Sequence, residues 1–292
     1  GKIILMVLFA FLTQSCAYYF GNARLRKTTA APMILETGER TLPLPNTISE
    51  WKKHSIVKNW ADKKLPEDWK NKGKTDIPRI LLAKLAMKKD VEEVNAYILK
   101  LQPWGKSGTD WFLNPNGDYD FSEIVLVNLL FRFGNDSTLL YPETVIHLTD
   151  VMLTEQKPRP FTKAPNSLFI LKETENHILM KESVRYLRRC WLLEHSKNPS
   201  EKLKKEVKFL EKWMMEHLKE IYRYGYWEFN SIPYFGYTIV PLLTLHAHAP
   251  SPEIRQLAQN ILDRTNYIYA LGSLDFKRIV PFRRQLRRFG WN

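Results

Sequence analysis

Cysteine is almost missing from this chain of 292 residues, where Cys16 and Cys190 are the two thiols. Neither stands in a cluster with other cysteines or with histidines, which argues against a zinc site. If an export signal ending near Cys16 is removed, Cys190 is left alone and no internal disulfide can form. Cys190 falls within a helical apolar stripe and reads as core filler. No clustered ligand set suggests a metal, and no cofactor is expected. Strand signals are scarce, although Ile124 to Phe131 would pass for a buried strand on periodicity alone. Acidic residues are outnumbered, 31 against 44 Lys and Arg, for a net charge of +13. The field of the folded chain therefore attracts anions: nucleic acid, anionic membrane or acidic polysaccharide. A hydrophobic fraction of 44% is enough for a sizeable core and excludes a disordered chain.

The apolar run from Ile3 to Leu12, preceded by Lys2, is too short to span a bilayer but has the length of a signal-peptide core. Ser15-Cys16-Ala17 follows it. Cleavage after Ala17 by the small-x-small rule gives a secreted or periplasmic protein. Cleavage before Cys16 gives an outer-membrane lipoprotein anchored through that thiol, although Leu12 stands four positions before the cysteine where three is usual. Residues 1–17 are thus expected to be a signal peptide or lipoprotein signal, and 18–48, interrupted by Thr28, Thr29, Pro32 and Pro43 to Pro45, a linker or N-terminal arm.

Residues 49–292 are expected to be all-α. Helical periodicity comes in pairs: 76–88 with 90–101, 121–133 with 142–153, 175–195 with 200–222, and 234–248 with 252–271. Asp76 and Asp90 are placed as caps, Pro78 suits a first turn, and Pro241 implies a kink or a late start in its helix. First helices beginning at 76, 121, 175 and 234 give a loose repeat of about fifty residues, the signature of stacked helical hairpins. Such hairpins build a solenoid or a toroid.

Two long connections carry the chemistry-bearing groups. Residues 102–120 hold Trp104, Trp111, Asp118, Tyr119 and Asp120, and residues 223–234 hold Arg223, Tyr226, Trp227, Glu228, Asn230 and Tyr234. Aromatic rings beside carboxylates and amides suit sugar faces and hydroxyls. The same rings would also serve to pin long loops onto the helices. A third polar cluster opens a helix: Glu175, Asn176 and His177 follow Thr174, a plausible N-cap. The positive end of the helix dipole there disfavours imidazolium and suits a neutral histidine acting as general base. His177 also aligns with Met180, Val184, Leu187 and Trp191, a position that equally suits a core histidine.

An Asn-His pair at a helix start, here Asn176-His177, followed on the next hairpin by "EFNSIPYFGY" and preceded by "NGDYDF" at 116–121, resembles the alginate-lyase-like (α/α) toroid polysaccharide lyases, of alginate and glucuronan lyase type. The resemblance covers about residues 100–275. It implies an exported bacterial enzyme that cleaves a uronic-acid glycan by β-elimination. Asn176 would bind the substrate carboxylate, His177 would take the C5 proton, and Tyr234 would serve the leaving oxygen, with Tyr237 its rival. Arg223 is the nearest candidate for the arginine those enzymes use. Trp104, Trp111, Tyr119, Trp227, Glu228 and Asn230 would line the glycan path.

Four hairpins, with a fifth from Ile48 to Lys64, fall short of the roughly six or seven of a closed toroid, so an incomplete ring is expected. The other open readings are a glycoside hydrolase using two of Asp120, Glu173, Glu175 and Glu228, and a non-catalytic toroid that holds an acidic glycan. Nucleic acid is not an expected partner, because the lysines between 202 and 212 alternate with Glu201, Glu206 and Glu211 as a solvated, ion-paired face. The cluster Arg283, Arg284, Arg287 and Arg288 is less balanced, and polyanions or lipid headgroups would suit it.

Overall fold

The structure is a computed structural model that describes residues 55–67, 76–103, 117–154, 161–163, 170–226, 229–231, 234–274 and 277–278. The expected export signal, the arm and the C-terminal arginine cluster lie outside the described residues.

The described chain is mostly helical. Its helices are α1 Ser55–Ala61, α2 Asp76–Ala86, α3 Val91–Leu99, α4 Asp120–Phe133, α5 Pro142–His147, α6 Glu175–His195, α7 Glu201–Tyr224, α8 Phe235–His248 and α9 Pro252–Leu271, with α5 running on into a π-helical turn at Leu148–Met152. Two short antiparallel pairs complete it: β1 Phe161–Lys163 with β2 Ile170–Lys172, in the register Phe161 to Lys172, and β3 Ser273–Leu274 with β4 Lys277–Arg278. Ile124 to Phe131, readable as a strand, lies inside α4. No described helix is long and apolar enough to cross a membrane.

The four expected pairs are present as hairpins in two layers. α2, α4, α6 and α8 pack in succession as the inner layer, and α4 also reaches α8, so the inner row bends. The return helices lie outside, with α3 against α5, α7 against α9, and α1 leaning on α2. Sequence explains the sorting. α7 buries a single stripe, Val207, Leu210, Met214, Leu218 and Ile221, at helical spacing, and leaves its other faces charged. α4 is buried almost all round, from Phe121 through Ile124, Leu126, Val127, Leu129 and Leu130 to Phe133, as a helix between neighbours must be. Each of its leucines contributes about 1.5–3 kcal/mol by leaving water.

Helix ends follow the expected residues with different chemistry. Ser200 and Ser251 cap α7 and α9 by accepting from Leu203 N and Ile254 N. Asp76 is the first helical residue and lies 3.8 Å from Arg79. Asp90 occupies the N-cap place of α3 in a left-handed conformation, φ 51°, and makes no cap bond. Its carboxylate is held by Lys84 instead. Thr174 stands at the N-cap of α6, but its hydroxyl donates to Asn176 Oδ1 at 2.6 Å. Pro241 is interior to α8, which rules out the late start. It withholds the N–H that would bond the Tyr237 carbonyl.

Close approach demands a glycine at the end of α4. A Cβ on Gly134 would lie 2.6 Å from Trp191 Cη2, so the missing side chain is what lets Trp191 of α6 lie across that end. Cys190 is buried beside it, as a core-filling thiol should be. Polar side chains tie the layers together. Asn95 donates to the Leu139 carbonyl and accepts from Tyr141 N, Arg188 Nε donates to the Thr149 carbonyl, and Asn128 of α4 donates to Thr244 Oγ1 of α8 at 2.8 Å.

Candidate functional site

Because each inner helix is followed by an outer return helix, the inner helices run in the same sense and their N-terminal ends gather. Three segments far apart in sequence meet there. Phe121, in the first turn of α4, packs edge-on to His177 of α6 at 5.2 Å between ring centroids and edge-on to Tyr237 of α8 at 4.5 Å. Asp120 Oδ2 lies 2.6 Å from His177 Nδ1, and Asp118 Oδ1 lies 4.0 Å from Nε2. Asp120 is completely buried, whereas the His177 ring keeps 13% exposure, enough for contact with a small group.

The bond to Asp120 orients the imidazole. An Asp120 carboxylate accepts at Nδ1, so Nδ1 carries the hydrogen and Nε2 is left to exchange a proton. Burial pulls the His177 pKa down, but the charge and hydrogen bond of Asp120, with Glu173 and Asp118 behind it, outweigh burial and raise it above its ordinary value. The expectation that the helix start would keep His177 neutral is therefore corrected. A carboxylate in direct contact stabilises imidazolium by more than the helix end opposes it.

A buried ionic layer lies beneath the ring. Lys181, one turn along α6 from His177, donates to Glu173 Oε2 at 3.0 Å, with both side chains 5% exposed. Burial, reinforced by Asp120, pushes the Glu123 carboxyl well above the usual carboxylate range despite Lys181 and Arg188, favouring its protonated form. Two polar atoms in this layer have no hydrogen-bond partner, Asp120 Oδ1 and Asn176 Nδ2. The Asn176 amide, 1% exposed, receives the Thr174 hydroxyl at Oδ1 and keeps two donors unused.

The other expected site residues are dispersed. Tyr234 is half-buried just ahead of α8, and its carbonyl accepts from Tyr237 N at 3.0 Å. Tyr119, expected on the glycan path, is instead fully buried with its hydroxyl donating to the Met152 carbonyl at 2.8 Å. That bond pins the connection before α4 to the π-helical turn, which is a structural task. Tyr226 works similarly: its hydroxyl meets Thr265 Oγ1 at 2.8 Å and its ring packs on Phe235, as does Phe229. Asn230 follows at φ 61°, a left-handed conformation that asparagine tolerates. Arg223 is exposed on the outer helix α7, its guanidinium 5.4 Å from the Tyr224 ring. Trp104, Trp111, Trp227 and Glu228 lie outside the described residues.

Lys181 escaped sequence reasoning, as did the convergence of Asp118 and Asp120 on His177 and the pairing of Glu173 with Lys181. Their one sequence signal is position: an acidic pair at the entry to α4, and Lys181 four residues beyond His177 on the same helical face. Among the described residues no group of three or more His, Cys, Asp or Glu is arranged to hold a metal ion. The arrangement can orient an imidazole and exchange a proton at Nε2. Comparison with protein-family models, with curated proteins and with solved structures finds no match to this chain.

Proposed function

We propose that the chain is an exported polysaccharide lyase of toroid architecture that cleaves a uronic-acid glycan by β-elimination at the gathered ends of α4, α6 and α8. The carrying observation is the 2.6 Å His177–Asp120 pair, set one aromatic ring away from Tyr237. In this reading Asp120 is the positioning residue and His177 Nε2 accepts the C5 proton. The unused Asn176 N–H groups donate to the substrate carboxylate, which acidifies that proton. Electrons from the broken C5–H bond form the C4–C5 double bond as C4–O4 breaks, and O4 leaves with a proton from a tyrosine hydroxyl. Tyr237, which shares Phe121 with His177, fits that part better than Tyr234.

Of the carboxylates named for glycosidic hydrolysis, Asp120 is turned to His177 and Glu173 to Lys181, so neither is presented to a glycosidic oxygen as hydrolysis requires. A binding protein without chemistry has no need of an oriented imidazole.

The experiment is a panel of polyuronates followed by ultraviolet absorbance of the conjugated alkene. Wild type is expected to produce it and His177→Ala to lose it. Since the base form of His177 predominates only above its raised pKa, kcat/KM should climb with pH and level off on the alkaline side of the ordinary histidine value of 6.5. Asp120→Asn should shift that rise to lower pH. Undiminished alkene formation by folded His177→Ala protein would end the proposal.

A further inference from the structure

Away from the gathered helix ends, α7 carries an anomaly. Its solvent face is charged throughout except for Phe209, whose ring is 63% exposed and points opposite the buried Val207, Leu210 and Met214 stripe. Lys202, Lys205, Glu206 and Phe209 follow one another at helical spacing, and with Arg185 of α6 as the facing wall they line an open hollow of about 450 Å³. The helices of a hairpin are antiparallel, so this early part of α7 lies beside the middle of α6, where Arg185 stands two turns, about 12 Å, along the helix from His177.

Charge in the hollow is unbalanced. Arg185 is paired with Glu182 at 3.4 Å and Glu206 lies 3.3 Å from Arg189 Nε, whereas Lys202 and Lys205, against the expectation of an ion-paired face, join no ion pair among the described residues. A phenyl ring left in water beside unneutralised ammonium groups has the attributes of a platform for a ligand with an apolar face and an anionic edge. A uronic-acid residue has both: its C–H face packs on an aromatic ring and its carboxylate meets the cations. A divalent cation is excluded by the charge, and a neutral sugar would leave the lysines unused.

We infer that the hollow of Arg185, Lys202, Lys205 and Phe209 is a second, non-catalytic binding site for acidic glycan, which holds a length of polymer on the outer layer while another length enters the cleavage site. This rests on the proposed uronate specificity for the identity of the ligand, but not on the elimination chemistry. Holding the polymer at a second point raises its effective concentration at the first, so the benefit appears with long chains and vanishes with short ones.

The test uses the full chain, a polyuronate and a short oligouronate of the same sugar, with Phe209→Ala and the double variant Lys202→Ala/Lys205→Ala. Retardation in gels containing the polyuronate should weaken by about tenfold in each variant, the loss of one good contact. The weakening of the lysine variant should shrink as salt rises. Alkene formation from the short oligouronate should stay at the wild-type rate, while KM for the polymer rises. Unchanged retardation in both variants would overturn the inference, as would variants that lose binding to anionic lipid vesicles and keep their hold on polyuronate. The two proposals fail separately. Variant-sensitive retardation with no alkene from any polyuronate would sink the lyase and leave this site standing, and the reverse pattern would sink this site alone.

Discussion

Acid should loosen the contact between α4 and α8 through one histidine. His248, in the last turn of α8, donates from Nε2 to Asn128 Oδ1 over 3.1 Å and rests 5.4 Å from the Phe131 ring. Asn128 in turn donates to Thr244 Oγ1 and to the Ile124 carbonyl, so the histidine closes a network that joins the two helices. Burial, with the Arg132 charge adding to it, lowers the His248 pKa to about 4 from the ordinary 6.5. The folded value lies below the unfolded one, so as pH falls the unfolded chain takes the proton first. Stability is intact above 6.5, declines between 6.5 and about 4, and is fully lost from this source below that. The total is about 3 kcal/mol, of which about 2 kcal/mol is gone by about pH 5. Urea unfolding at about pH 7.5 and pH 5 reads it directly, with His248→Gln as the partner protein, since glutamine can still bond Asn128 and does not titrate. Wild type should lose about 2 kcal/mol more than the variant on acidification, through the midpoint and not the slope. His177, whose raised pKa makes it a stabilising group at low pH that fades on alkalinisation, is common to both proteins and cancels. Equal acid sensitivity of the two proteins would refute the argument.

Other perturbations have signs fixed by the structure. Gly134→Ala forces a methyl against Trp191 and should cost about 1–3 kcal/mol in urea unfolding. Gly236→Ala, in the first turn of α8 with nothing within 4 Å of the new carbon, should be neutral or stabilise by up to about 1 kcal/mol. Lys181→Met strips the buried Glu173 of its cation and should destabilise by about 3–5 kcal/mol. The double variant Lys181→Met/Glu173→Gln should recover much of that loss. The Cys190 thiol, pushed up to about 12 by burial, should resist alkylation in the native protein and react once urea unfolds it.

Sequence reading succeeded where one chain segment decides its own fate. Apolar spacing located the four hairpins to within a few residues, because a helix with a buried stripe shows its period regardless of what covers it. It failed where a partner elsewhere in the chain decides. Asp90 looked like a cap, but Lys84 offers its carboxylate a full charge where the backbone offers an N–H dipole. Tyr119 looked like a surface ring because its loop is polar, and only the Met152 carbonyl across the fold explains its burial. His177 shows the limit most plainly. A helix end shifts an imidazole by about 0.3–1 kcal/mol, whereas a hydrogen bond to a charged group is worth about 1.5–3 kcal/mol. The deciding group, Asp120, lies 57 residues away, so no local reading could have weighed the two.

The hairpin architecture also separates where the chain is held together from where it can do chemistry. At the far end of the inner helices, Gly134, Trp191, His195 and Asn135 interlock: the His195 ring stacks on Trp191 at 3.8 Å and bonds Asn135 Oδ1 at 2.8 Å. At the near end lie a partly open imidazole, an amide with unused donors and a carboxylate oxygen without a partner. Incomplete polar groups cost about 1–3 kcal/mol each wherever they are buried, and Thr144 Oγ1, Ser183 Oγ and Thr238 Oγ1 are incomplete in the same way. What distinguishes Asp120 and Asn176 is therefore not a missing partner but their place beside the His177 ring, which keeps 13% exposure where three inner helices converge.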